Sequence, residues 1–262
     1  MKKNDSGHAK NVTNFEKLYE VCTGLGDLYK PSNDLITLGG MATVYKISDT
    51  VIDEVQALIT KEETATNNRY DFFSTQRKFA TRVMGAITVA GASEKTLEDA
   101  RGVLNKINGK RANPKKDDIS ATKEEDAPKD ENATQKENGS SAEHKYISVS
   151  QQSYDFQVEH FTRLIEIPKS LEKYTPNEVD LSIPGLNTRL AQLKANNSAV
   201  IKAERDIYNK RAERDKILYA PVIGLIYVAI LAKAYIKSVF GVLSPEYKQV
   251  SGLEFKEIKP RK

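Results

Sequence analysis

Tyr174-Thr-Pro-Asn-Glu-Val-Asp-Leu-Ser-Ile-Pro-Gly185 has a counterpart in the first third of the chain, Tyr29-Lys-Pro-Ser-Asn-Asp-Leu-Ile-Thr-Leu-Gly39. With one gap the two stretches share Tyr-x-Pro (Tyr29 and Pro31; Tyr174 and Pro176), then Asp-Leu (Asp34 and Leu35; Asp180 and Leu181), then a glycine (Gly39; Gly185). Proline removes a backbone donor and glycine weakens a helix, so neither stretch continues the helical pattern around it. Each follows a short amphipathic segment and precedes a long one. The pair reads as two copies of one structural unit, in which Tyr29 and Tyr174 pin their loops and Pro31 and Pro176 fix the turns.

Working outward from the first copy, Phe15, Leu18, Tyr19, Cys22, Leu25 and Leu28 recur at the three- and four-residue spacing of one helical face. After the loop, Val44, Ile47, Val51, Val55 and Leu58 keep that spacing, which resumes at Phe72, Phe79, Val83 and Ile87. Without an interrupting Pro or Gly from residue 41 to 84, the pattern predicts one helix of up to about 50 residues, roughly 75 Å long. Its polar middle, Lys61 to Asp71, is the part expected to break if any does. Ser93 and Glu94 then signal a new helix start.

The second copy repeats this order. Phe156, Phe161, Leu164, Ile165 and Leu171 precede the Tyr174 loop, and a long polar helix follows with Leu190, Leu193, Val200 and Ile207 on one stripe. Arg214, Ile217 and Leu218 stand at the same offset from their loop as Arg69, Phe72 and Phe73, to within a residue. Pro221 predicts a kink, and Ser244-Pro-Glu carries the N-cap, N1 and first-turn residues of another helix start. The expected architecture is therefore all-α: an elongated helical bundle of two related, duplicated units with long helices. The divisions are a disordered N-terminus at 1–12, unit 1 at 13–108, a disordered charged linker at 109–147, unit 2 at 148–256 and a basic tail at 257–262.

The chemistry is sparse. The chain of 262 residues carries 40 Lys and Arg against 36 Asp and Glu, a net charge of +4. In the densest basic stretch, Lys202 to Lys216, Glu204, Asp206, Glu213 and Asp215 offset the cations, which argues against a nucleic-acid binder. Three histidines, at 8, 144 and 160, show no metal-ligand spacing, and His160 reads as a helix-surface residue. Cys22 is the only cysteine and reads as a small buried hydrophobe. No phosphate-binding loop or nucleophile elbow occurs. The sequence predicts no catalytic, cofactor or metal residues and no small-molecule substrate. The polar N-terminus lacks an apolar signal core, so a cytoplasmic location is expected.

The block from Tyr219 to Phe255 resembles a group of uncharacterised helical proteins of flavobacteria and related Bacteroidota. It does so at Tyr219-Ala-Pro, Gly224-Leu, Lys237-Ser-Val-Phe-Gly, Ser244-Pro-Glu-Tyr-Lys-Gln-Val and Ser251-Gly-Leu-Glu-Phe. The resemblance implies a helical bacterial protein and no assigned activity. Within this block lies the most apolar run, Ile217 to Ala232, which has no charge and includes Val222, Ile223, Leu225, Ile226, Val228 and Leu231. It is shorter than the ~20 residues a spanning helix needs, and reads first as a packing helix. The expected function is a non-enzymatic scaffold or protein-interaction protein, self-association included. A membrane-active, pore-forming-like protein inserting Ile217 to Ala232 is the rival.

Overall fold

The computed structural model describes residues 5–110 and 152–258; the expected linker lies almost wholly outside them. Among the described residues the chain is all-helical, with eight α-helices and two short 3-10 turns. In order these are α1 (Asp5–Gly24), α2 (Leu38–Ser74), α3 (Gln76–Val89), α4 (Glu94–Ile107), α5 (Tyr154–Lys169), α6 (Ile183–Tyr219), α7 (Leu225–Phe240) and α8 (Pro245–Ser251). The order of α1 to α4 is repeated by α5 to α8. Both α2 and α6 are 37 residues long, and each starts and ends 145 positions from the other.

The compact bodies do not follow the expected division at 13–108 and 148–256. Of the described residues, one contains 5–70 and 198–258, the other 71–110 and 152–197. A 37-residue helix is too long for one small core, so α2 begins in the first body and ends in the second, while α6 does the reverse. Each body thus takes its helices from both halves of the sequence.

In the first body, Phe15, Leu18 and Cys22 of α1 pack with Met41 of α2, Leu218 of α6 and Leu225, Val228 and Ile236 of α7. Val12, His8 and Asn11 are buried there as well, so the expected frayed N-terminus is a helix from Asp5. Its polar residues find partners far along the chain. Asn11 donates to the Lys256 carbonyl (2.7 Å) and accepts from the Lys256 amide, Asn14 donates to the Glu254 carbonyl (2.8 Å), and His8 Nδ1 meets the Tyr219 hydroxyl at 2.6 Å. Buried polar groups paired in this way carry little desolvation cost.

The second body is built alike. Phe161, Leu164 and Ile165 of α5 pack with Phe73 of α2, Phe79, Val83 and Ile87 of α3, Leu97 and Ile107 of α4, and Leu186 and Leu193 of α6. The trio α5, α3, α4 matches the trio α1, α7, α8, each helix packing on the other two.

The single helix expected from residue 41 past Gly85 is interrupted, though not in Lys61 to Asp71, which is helical. The break falls at Thr75. Ser74 Oγ and Thr75 Oγ1 donate to the Asp71 and Phe72 carbonyls, at 2.7 and 2.8 Å, in competition with the helical backbone pattern. At the matching place, α6 stops before Pro221 and α7 starts after Gly224. A Cβ at Gly224 would lie 2.5 Å from the Ala220 nitrogen, so the turn closes only around glycine. Ser93 and Ser244 cap α4 and α8 as their sequences indicate, accepting from the Thr96 and Tyr247 amides.

Candidate interaction surface

The two loops are constructed from the same hydrogen bonds. Buried Tyr29 donates to the Ile36 carbonyl and buried Tyr174 to the Leu181 carbonyl, both at 2.8 Å and both seven residues on. Burial pushes both hydroxyls above the ordinary tyrosine range, which keeps them protonated as donors. Thr37 donates to the Asp34 carbonyl and accepts from the Gly40 amide; Ser182 donates to the Val179 carbonyl and accepts from the Gly185 amide.

These bonds set an ungapped register of 145, which corrects the gapped pairing. Ile36 matches Leu181 and Gly40 matches Gly185. Asp34, Leu35 and Gly39 instead match Val179, Asp180 and Pro184. The helix start decides this: a Cβ on Gly40 would collide with the Asp34 carbonyl oxygen and one on Gly185 with that of Val179, whereas Gly39 faces open space. Pro31 and Pro176 are half-buried at matching places. The loop residues are therefore framework, and the structure does not gather them into a reactive constellation.

The remaining candidates are divided by α7. Leu225 and Val228 are fully buried, Ile226 and Leu231 are half-buried, and Val222, Ile223 and Ile230 are 62%, 63% and 57% exposed. The apolar run thus packs with one face and leaves the other outward. The matching helix of the second body is different. With Gln76 set against Leu225, the buried positions of α3 and α7 coincide at Phe79 and Val228, Ala80 and Ala229, Val83 and Ala232, and Ile87 and Ile236. Between them α3 carries Arg77, Lys78, Thr81 and Arg82 where α7 carries Ile226, Tyr227, Ile230 and Leu231. Of these four, Ile226 and Leu231 also pack against the core of the first body, Tyr227 is half-buried and Ile230 is exposed.

From Ile217 to Pro245 the sequence carries Lys233 and Lys237 and no Asp or Glu. Ile230, Lys233 and Lys237 line a groove together with Glu254 and Lys256. Lys233 donates to the Ser251 and Leu253 carbonyls, at 3.1 and 2.8 Å, and its partial burial lowers its pKa. No described helix is long and apolar enough to cross a membrane.

Among the described residues, no group of three or more His, Cys, Asp or Glu side chains is placed to hold a metal ion. Burial pushes the Cys22 thiol up to about 11, far from the thiolate a nucleophile needs. His160 is buried rather than on the surface; burial, and then Lys106, hold its pKa below the usual histidine value. The sequence pattern hid this because Glu159 and Arg163, either side of it on the helix, are exposed. Compared with known proteins, the chain matches no family model, no curated protein and no solved structure.

Proposed function

We propose that this chain is a non-enzymatic interaction protein of the cytoplasm, and that it docks a protein partner on the outward face of α7. The observation that carries the reading is the exchange of Arg77, Lys78, Thr81 and Arg82 in α3 for Ile226, Tyr227, Ile230 and Leu231 in α7 within one shared packing scheme. With Val222, Ile223 and Ile230 exposed and Ile226, Tyr227 and Leu231 half-buried, the run leaves apolar surface outward, the kind of surface that marks an interaction site. Beside Ile230, Lys233, Lys237 and Lys256 outnumber Glu254, which favours a partner that offers aliphatic side chains bordered by Asp or Glu. The repeated helix order and the matched loops support an origin by internal duplication, after which one copy took on this surface.

The test is a photoreactive phenylalanine at Ile230, introduced in the living source cell. A single cross-linked polypeptide is expected, joined through a segment with apolar residues flanked by carboxylates and lost when Ile223→Glu is added. Adducts only to a second copy, or an adduct indifferent to Ile223→Glu, would overturn the reading. The charge-free run from Ile217 to Ala232 favours a second reading, insertion at a lipid surface. Flotation with phosphatidylglycerol vesicles tests it: co-flotation abolished by Ile223→Glu would transfer the α7 face to lipid.

A further inference from the structure

The same comparison of the two bodies isolates a second feature. In the second body a groove of about 750 Å³ opens between α3 and the start of α6. Lys78, Arg82 and Arg189 bring three positive charges to it and Asp180 one negative charge. Arg82 and Asp180 neutralise one another through a bidentate pair at 2.6 and 3.2 Å, with the carboxyl held below the usual aspartate range chiefly by that hydrogen bond. The lining side chains therefore carry a net charge of +2, with the Asp180 carboxylate acting on both arginines.

Arg189 is the unusual member. Its guanidinium lies 4.7 Å from the Phe72 ring centre and 4.3 Å from that of Phe79. Nε donates to Gln76 Oε1 and Nη2 to Thr75 Oγ1, both at 2.8 Å. These hydrogen-bond partners are neutral, so the side chain is fixed in place without a carboxylate in direct contact. Partial burial lowers its pKa, against an opposing pull from Asp180.

The fold does not require this cation. In the register of 145, Arg189 matches Val44, and Asp180 matches Leu35. In the α3–α7 register, Lys78 and Arg82 match Tyr227 and Leu231. All four counterparts are apolar or aromatic, and Val44, Leu35 and Leu231 pack against the core of the first body. Where one body closes this position with hydrocarbon, the other keeps an open groove with a held guanidinium.

We propose that the groove between α3 and the start of α6 binds the dianionic phosphate of a small phosphate monoester, held by Arg189 and Lys78 with Arg82 at its rim. A net charge of +2 matches a dianion, and the guanidinium protons of Arg189 not engaged by Gln76 and Thr75 suit phosphate oxygens. Val179 and Pro184 give the groove an apolar wall, which suits an apolar group on the ester. The site lies in the second body and does not depend on the α7 face.

Phenyl phosphate and inorganic phosphate are the probes, titrated at low salt into the full chain while the Arg189 Nε–Hε and methyl resonances are followed by NMR. Saturable shifts are expected with both, the ester binding more tightly, and with affinity falling as the pH drops through the second phosphate pKa of about 6. Lys78→Met, an exposed change, is expected to raise Kd several-fold, and Arg189→Met by about tenfold or more. If Arg189→Met fails to fold, Lys78→Met alone decides. Absence of saturation below about 20 mM, or a Kd unmoved by Lys78→Met, would overturn the proposal. Preference for inorganic phosphate over the ester would overturn the apolar-substituent part.

Discussion

Gly40 and Gly185 have a task that Gly39 does not. At each of the first two, a methyl group would press on a backbone carbonyl that has nowhere to move, because Thr37 and Ser182 hold the same turns by two hydrogen bonds each. Gly40→Ala and Gly185→Ala are each expected to cost about 2 kcal/mol or more by overpacking. Gly39→Ala faces open space and replaces a poor helix former, so it is expected to raise stability by about 0.5–1 kcal/mol. Urea unfolding of the three variants checks the register directly; equal losses at Gly39 and Gly40 would refute it. Matching letters favoured Gly39 because Asp-Leu recurs, yet the chain is organised by the reach of a tyrosine hydroxyl to a carbonyl seven residues on. His160 gives a pH-dependent companion. Its folded pKa lies below the ordinary 6.5, so the unfolded chain binds the proton more readily. Stability from this group is complete above about pH 6.5 and declines as the pH falls below it. Lys106 and Arg163 oppose the proton and Glu159 favours it. His160→Phe should lose less stability than the native chain between about pH 7.5 and pH 5.5, as measured by thermal unfolding; identical losses would remove this role.

The contrast between α3 and α7 separates what the fold needs from what it tolerates. Giving α7 the α3 residue at its exposed position, Ile230→Thr, is expected to change stability by no more than about 0.5 kcal/mol, the usual limit for surface changes. Leu225→Ala and Val228→Ala, on the opposite face, remove fully buried side chains; the leucine is expected to cost about 2–5 kcal/mol and the smaller valine less. Calorimetry of the three proteins tests the division of the helix, and a large loss in the outward variant would make that face structural. Helix starts were legible because caps are local chemistry: Ser93, Ser244 and Pro245 occupy the roles their neighbours predict. The break at Thr75 was not, since hydroxyls bonding back to carbonyls leave no breaker residue in the sequence. The burial of His8 and Asn11 was equally hidden, because their partners lie more than 200 positions away. Arg189 reads as an ordinary surface cation until Phe72, Phe79, Gln76 and Thr75 are brought around it by folding.

Each compact body draws on both halves of the chain, and this changes what counts as a folding unit. Residues 13–108 alone would contain the later part of α1 and the start of α2 without the α7 and α8 that cover them, and α3 and α4 without α5. Phe15, Leu18, Phe79 and Ile87 would then each lack core neighbours that the other half supplies. Loss of burial for several large side chains, at about 1.5–3 kcal/mol each, is comparable to the margin of about 5–15 kcal/mol by which a typical domain is stable. A protease site placed between residues 111 and 151 provides the test, because neither half then has a covalent tie to the other. After cleavage the two fragments are expected to co-elute in size-exclusion chromatography, with native helicity, and to separate only in denaturant. Expressed singly, each fragment is expected to show reduced helicity and no cooperative unfolding, and mixing the two should restore both. Independent, cooperative folding of either fragment would mean that the sequential halves are self-sufficient and that the exchange of helices between the bodies is not what stabilises them. Recovery only on mixing would place the stabilising contacts between halves, where Phe161 meets Phe79 in one body and Leu225 meets Leu18 in the other.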